Sequence, residues 1–168
     1  IEFNITEPVK RNYIQTFVTY CATKKIMEKN GFEFQYSFDS TKEQESYQDD
    51  YDTAYADAQK ELLNKGYRIY TSIDLKKQKA LQQAINTNLE NFKEKGTNGI
   101  YKMQGAAVCI DNTTGMVRAI VGGRSQDDVE GYTLNRAFQS FRQPGSAIKP
   151  LIVYTPALER GYTPDTIV

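Results

Sequence analysis

The most informative absence from the sequence is histidine. None of the 168 residues is a histidine. Ser-His-Asp and Cys-His catalysis therefore cannot be assembled within this chain, and the common zinc sites lose their usual nitrogen ligand. A serine enzyme built from these residues needs another base.

Cysteine, excess charge and long apolar runs are also scarce. Cys21 and Cys109 lack C-x-x-C spacing and are predicted to be buried free thiols rather than a disulfide or a metal pair. Lysine plus arginine equal aspartate plus glutamate at 21 each, which disfavours a nucleic acid partner. Apolar runs fall far short of the roughly 20 residues that span a bilayer, and Ile1 opens no signal-peptide pattern. Any membrane anchor is expected to lie outside this sequence.

Apolar periodicity divides the first half of the chain into helices and short strands. Helices are predicted over 6–30, about 50–65 and 74–96, strands over 32–38 and 67–73, and a solvated loop over 39–50. Tyr47, Tyr51 and Tyr55 recur at helical spacing. They could bind a sugar, but core packing with exposed hydroxyls is the simpler interpretation.

The strongest strand pattern is a hairpin over residues 105–121, with Asp111-Asn-Thr-Thr-Gly115 as its turn. Its first strand is nearly all apolar, which predicts a central strand covered on both faces. The turn lacks the further acidic positions of a calcium loop. Asp127, Asp128 and Glu130 in the next loop could ligate a metal, but an exposed acidic loop is the commoner case. Neither a metal nor a cofactor is expected.

A serine and a lysine stand at helical spacing in Phe141-Arg-Gln-Pro-Gly-Ser-Ala-Ile-Lys-Pro150. Residues i and i+3 of a helix share a face, so the amine of Lys149 can reach the hydroxyl of Ser146. Ser-x-x-Lys alone is a weak signal, because roughly one match is expected by chance in a chain of this length. The plain alternative is a capping serine followed by a surface lysine.

The helix after Ser146 is predicted to be held against the core and to end at Gly161. Pro150 disfavours α geometry at the preceding lysine, and Pro156 is expected to kink the helix near Ile152. The predicted buried stripe consists of Ile148, Leu151, Ile152, Thr155 and Leu158.

The surrounding residues resemble the active-site segment of penicillin-binding proteins. The run Asn135-Arg-Ala-Phe-Gln-Ser-Phe-Arg-Gln-Pro-Gly-Ser-Ala-Ile-Lys-Pro150 is most similar to the class A, bifunctional enzymes that polymerise and cross-link peptidoglycan. Ser-x-x-Lys is the first of three motifs in this group. Residues 66–74, the hairpin and residues 157–164 also resemble parts of the transpeptidase domain, whereas residues before 66 resemble the linker after the family's glycosyltransferase domain.

The resemblance implies an α+β fold, the beginning of the penicillin-binding-protein/serine β-lactamase-like transpeptidase fold. In that fold, helices cover a central, mainly antiparallel sheet, here preceded by a mixed helix and strand linker. Residues 1–66 would be the linker following a glycosyltransferase domain, and residues 67–168 the incomplete N-terminal part of the transpeptidase domain. Ser-x-Asn and Lys-Thr-Gly, or its serine variant, have no suitably placed match. The remaining transpeptidase segment that carries them is therefore an expected partner.

The resemblance also implies acyl transfer by a D,D-transpeptidase at the extracytoplasmic face of the bacterial cell membrane. Ser146 would attack a stem peptide ending D-Ala-D-Ala, form an acyl-enzyme, and be acylated by β-lactam antibiotics. Lys149 would be the general base, and the backbone N–H of Ser146 an oxyanion donor. Gly145 would permit close approach of the substrate, and Arg142 would support the segment.

Two alternatives remain open at this point. A serine β-lactamase or penicillin-sensing domain shares Ser-x-x-Lys. A non-catalytic cell-wall scaffold module would use Ser146 only as a helix cap.

Overall fold

The computed structural model describes residues 12–125 and 134–167. Helices and an antiparallel hairpin together confirm the predicted α+β class. No helix in these two ranges is long and apolar enough to cross a membrane. The elements in chain order are α1 (Tyr13–Lys29), α2 (Thr41–Asn64), α3 (Leu75–Asn88), β1 (Ala107–Ile110), β2 (Val117–Val121), α4 (Arg136–Gln139), a 3-10 turn (Gly145–Ile148), a π-helical turn (Pro150–Tyr154) and α5 (Thr155–Glu159).

The first packing unit is formed by α1 and α2. Ile26 and Met27 of α1 meet Ala58 of α2 in a small buried core. Tyr51 stacks on Tyr55 with 5.9 Å between the ring centroids, and desolvation by its surroundings raises the pKa of Tyr51 to about 12. The tyrosine ladder is therefore a packing surface, as predicted.

Several boundaries in the first half differ from prediction. α2 begins at Thr41, so most of the predicted loop over 39–50 is helical: the Ser40 side chain accepts a hydrogen bond from the Glu43 N–H and caps the helix. The segments 32–38 and 67–73, predicted to be strands, have no regular secondary structure. α3 ends at Asn88 rather than near residue 96.

The start of α1 is set by Asn12. Its side chain accepts a hydrogen bond from the Gln15 N–H, and Gln15 reaches back to the Asn12 N–H, forming a capping box. Thr6 and Pro8, at the predicted start of this helix, lie outside the described residues. Gly31 and Gly66 follow α1 and α2 with φ of 90° and 62°, as expected of glycines that end helices.

The hairpin is present, with Ala107 paired to Val121 and Val108 to Ile120. Asp111 shapes the turn, because its Oδ1 accepts hydrogen bonds from the N–H groups of Thr113 and Thr114. The prediction that β1 is covered on both faces is wrong for the described residues. Val108 and Ile110 are 41% and 53% exposed, whereas Ala119, Ile120 and Val121 of β2 are buried. The described elements pack mainly against β2, which leaves one face of β1 open.

α3 is fixed to β2 through Gln78. The Gln78 Nε2 donates to the carbonyl of Ile120, and the Ile120 N–H donates back to Gln78 Oε1, both at 2.8 Å. The Asp74 N–H also donates to the carbonyl of Arg118 at 2.8 Å. Asp74 caps α3 as predicted, accepting from the N–H groups of Lys76 and Lys77.

Both cysteines are free, but the prediction that they are buried is wrong. Cys21 is exposed and Cys109 is half-buried. Cys21 borders a groove between α1 and residues 69–73, so its side of the helix is only partly covered.

Candidate active site

The segment that leads to Ser146 is anchored by the short helix α4. Asn135 caps this helix through a hydrogen bond from the Ala137 N–H to its Oδ1, and its side chain is fully buried. Its Nδ2 also donates to the carbonyl of Tyr13, at 3.2 Å. Because Tyr13 begins α1, the Asn135 amide joins the approach to the candidate nucleophile to the first helix of the chain.

Glycine is required at the end of β2 for this close approach. The Arg136 N–H donates to the carbonyl of Gly122 at 3.1 Å. A Cβ added to Gly122 would lie 2.3 Å from Oδ1 and 2.5 Å from Cα of Asn135. The absence of a side chain at residue 122 therefore brings α4 into contact with the sheet.

Aromatic packing holds the other side of α4. The ring of Phe138 lies 5.3 Å from that of Phe17 and 4.9 Å from that of Tyr20, both in α1. The sequence places Asn135 and Phe138 within the family resemblance but does not predict their structural roles. An asparagine directly before a helix was the available local signal for Asn135.

Ser146 and Lys149 lie together at the start of the last helical region. Gly145, with φ of +55°, turns the chain into the 3-10 turn that contains Ser146, and the Lys149 N–H donates to the carbonyl of Ser146. Residues three apart eclipse one another in a 3-10 turn, so the two side chains share a face. Both residues are exposed, and no hydrogen bond between Ser146 Oγ and Lys149 Nζ occurs in the described part of the chain.

The first N–H groups of this turn are available for a ligand. No side chain of the residues that the structure describes caps the 3-10 turn. The N–H groups at the beginning of a helical turn have no partner within the turn, and they attract developing negative charge. Ser146 contributes one of them, next to its own hydroxyl.

The helix after Lys149 changes type where the prolines stand. The Thr155 N–H and Oγ1 both bond to the carbonyl of Pro150, which widens the turn to π geometry. Pro156 occupies the second position of α5, and as a proline it has no backbone N–H to donate. This irregular turn contains Ile152, where the kink was predicted. Gly161, with φ of +85°, follows the helix as expected.

The predicted burial of this helix is wrong for the described residues. Leu151 is 72% exposed, Ile152 61% and Leu158 54%. Thr155 is also exposed and Ile148 is half-buried. The apolar stripe is present in the sequence, but no described element packs over it.

Arg142 lies in the irregular segment between α4 and Gly145. It is exposed, and it lines a cleft that also contains Lys102 and Arg136. The acidic residues Asp127, Asp128 and Glu130 lie outside the described residues. Within the ranges that the structure covers, no group of three or more histidine, cysteine, aspartate or glutamate residues is placed to hold a metal.

Comparisons with known proteins place this segment in a family. Residues 105–168 match the family described as penicillin binding protein transpeptidase domain. The chain is 34% identical over 142 residues to penicillin-binding protein 1A of Clostridium perfringens (strain 13 / Type A), a match that covers 80% of this chain and 20% of that protein. It is 43% identical over 106 residues to penicillin-binding protein 2a of Streptococcus pneumoniae serotype 2, covering 62% and 14% respectively.

A shorter match is closer in sequence. Penicillin-binding protein 1A of Neisseria gonorrhoeae is 52% identical over 66 residues, which are 39% of this chain and 8% of that protein. The chain thus spans a fifth or less of the length of these curated relatives. The matches confirm the resemblance to class A enzymes: the chain belongs to the penicillin-binding proteins, and its residues 105–168 are part of their transpeptidase domain.

Proposed function

We propose that this chain is part of a serine-type D,D-transpeptidase that cross-links peptidoglycan, in a bifunctional enzyme that also carries a glycosyltransferase. The observation that carries the proposal is the position of Ser146. It lies in an exposed turn, directly after a glycine with positive φ and three residues before a lysine, within the region that matches the transpeptidase family. A hydroxyl at such a turn is accessible to a peptide and lies beside backbone N–H groups that stabilise negative charge.

The proposed reaction begins with attack of Ser146 Oγ on the carbonyl of the penultimate D-Ala of a stem peptide. Lys149 Nζ takes the hydroxyl proton as the Oγ–C bond forms, and the Ser146 N–H donates to the developing oxyanion. Collapse breaks the peptide bond, and Lys149 returns the proton to the departing D-Ala amine. An amine from a neighbouring stem then attacks the acyl-serine and releases Ser146, which completes the cross-link.

Lys149 must be neutral to take a proton, and burial or neighbouring cations favour the neutral amine. Lys149 is exposed among the described residues. We therefore propose that the remaining transpeptidase segment, with its Ser-x-Asn and Lys-Thr-Gly or Lys-Ser-Gly motifs, buries Lys149 or places a cation beside it. The exposed apolar residues of the last helical region are the surface on which this segment would pack. Gly145 would let the substrate approach the backbone closely.

The proposal includes a division of the chain into two parts. Residues 67–168 would be the first part of the transpeptidase domain, and residues 1–66 the linker from the glycosyltransferase domain. The family match from residue 105 onward lies within the proposed transpeptidase part. The enzyme would work at the extracytoplasmic face of the cell membrane, with its anchor elsewhere in the protein.

The test is the time course of labelling of the full-length protein by a fluorescent penicillin. A transpeptidase is expected to form a stable acyl-enzyme that Ser146→Ala abolishes and Lys149→Gln slows strongly, because the proton acceptor is lost. Ser46→Ala, which changes an exposed serine of α2, is the matched control and is expected to label normally. Rapid turnover of the label would indicate a β-lactamase instead, and no labelling of the folded protein would indicate a scaffold module.

A further inference from the structure

A cleft beside the candidate active site gathers positive charge. It has a volume of about 610 Å³ and lies between residues 102–106, which lead into β1, and the segment from Arg136 to Arg142. Lys102, Arg136 and Arg142 all line it, and none of its lining residues is acidic. The whole chain has a formal net charge of zero, so this concentration of cations is local.

The fold holds the two sides of the cleft in place. Arg136 is the first residue of α4, which is fixed by the buried Asn135 and by the bond from the Arg136 N–H to Gly122. On the other side, Gln104 is held by two hydrogen bonds, one from its Nε2 to the Tyr101 carbonyl and one to its Oε1 from the Arg124 N–H. The cleft is therefore anchored at Arg136 on one side and at Gln104 on the other, and Arg142 follows Arg136 by six residues.

The two arginines retain unused donors. Among the described residues, Arg136 donates from one terminal nitrogen, to the carbonyls of Gly122 and Leu134 over 3.4 and 3.5 Å. Arg142 has no hydrogen bond or ion pair in the described part of the chain, while Lys102 is paired with Glu94. A guanidinium presents its N–H groups as a planar fork that matches the two oxygens of a carboxylate.

We propose that this cleft binds a carboxylate of an acidic peptide, with Arg142 as its main contact and Arg136 as the second. The inference rests on the proposed function, because it is the peptide substrate of Ser146 that would supply the carboxylate. The Cα atoms of Arg142 and Ser146 are at most about 14 Å apart, because four residues of fully extended chain span about that length. A carboxylate within a few residues of the acylated carbonyl is therefore within reach of the cleft.

The test uses two peptides of identical sequence ending D-Ala-D-Ala, one with a free side-chain or backbone carboxylate upstream and one with that group as its amide. Each is measured in the full-length protein by the concentration that halves the rate of fluorescent penicillin labelling. For the wild-type protein, this concentration is expected to be about tenfold lower for the acidic peptide, because one hydrogen bond to a charged group contributes an affinity difference of about that size. Arg142→Gln is expected to remove the preference, and Arg142→Lys to retain part of it.

The preference is a ratio taken within each variant, so a change in the labelling rate itself does not alter it. Lys79→Gln removes one positive charge from an exposed position of α3 outside the cleft and is expected to keep the wild-type preference. An equal response to both peptides in a wild-type protein that is still labelled at Ser146 would overturn the inference and leave the proposed function intact. Protection by inorganic phosphate that Arg142→Gln removes, without discrimination between the peptides, would show a phosphate site and also overturn it. Absence of labelling at Ser146 would instead count against the proposed function.

Discussion

Gln78 is the residue on which the contact between α3 and β2 depends most directly. Its buried amide satisfies both the N–H and the carbonyl of Ile120. Gln78→Ala leaves both groups without their partner, and we expect the free energy of unfolding to fall by about 2–4 kcal/mol in urea titrations. Gln83→Ala, on the exposed side of the same helix, is expected to change it by less than about 0.5 kcal/mol. Equal losses for the two variants would show that Gln78 has no special role.

Asp111 makes the stability of the hairpin depend on pH. Hydrogen bonds hold the pKa of this carboxyl below its usual value of 3.8. The largest contribution comes from the Arg118 side chain and a smaller one from the Thr113 N–H. A folded-state pKa below the unfolded one means that ionised Asp111 stabilises the fold above about pH 3.8 and loses this effect as pH falls through the folded value. Asp111→Asn is therefore expected to be less stable than wild type at neutral pH, with the difference shrinking at lower pH in thermal unfolding. A difference that stays constant with pH would contradict this account.

Residues with local roles were predictable from the sequence, whereas residues with distant partners were not. Asp74 and the Asp111 turn depend on N–H groups two or three positions away, and both were identified. Gln78 looked like any polar residue of an amphipathic helix. Its partner lies 42 residues later, so only the folded chain shows that it is buried.

At the scale of elements, the contact between β2 and α4 depends on the missing side chain of Gly122. A Cβ at this position would overlap both the side chain and the backbone of Asn135. Gly122→Ala is expected to cost about 3 kcal/mol or more, because a backbone contact cannot relax as a flexible side chain can. Gly66→Ala tests backbone conformation alone and is expected to cost about 1 kcal/mol. The φ angle there is 62°, and no described atom outside residues 65–67 lies within 4 Å of the added Cβ. A smaller loss for Gly122→Ala than for Gly66→Ala in urea unfolding would refute the close approach.

Elements whose own residues contain a turn motif are predictable from the sequence. Elements that depend on packing against another part of the chain are less so. The hairpin over 105–121 carried its own turn and was correct. The polar composition of 39–50 predicts a loop, whereas the structure begins α2 at Thr41, where Ser40 and Glu43 form a capping pattern. The alternation over 32–38 reflects packing of Phe32 and Phe34 against Tyr51 rather than pairing with another strand. Periodicity reports a buried face without reporting what buries it.

At the scale of the whole molecule, the last helical region carries an apolar face that the described residues leave exposed. Leu151, Ile152 and Leu158 were predicted to be buried from their spacing alone, but spacing does not supply the covering element. We propose that the rest of the transpeptidase domain covers this face. Amides of residues 145–159 are then expected to exchange with solvent on the order of a hundredfold more slowly in the full-length protein than in this chain alone.

The amides of α3 provide the internal control for the exchange measurement. Gln78 ties this helix to β2 within the chain itself, so its protection is expected to be similar in both proteins. Equally slow exchange of residues 145–159 in the isolated chain would show that the helical region needs no further covering.

The central claim is that Ser146 is the acylated nucleophile, and its most direct test is to locate the adduct. Full-length protein treated with benzylpenicillin and digested is expected to yield one modified peptide, which contains Ser146 and has gained the mass of an intact penicillin, because ring opening loses no atoms. Fragmentation should assign the added mass to the Ser146 side chain, and the same peptide from Ser146→Ala should be unmodified. An adduct on another residue, or no adduct on folded protein, would contradict the account.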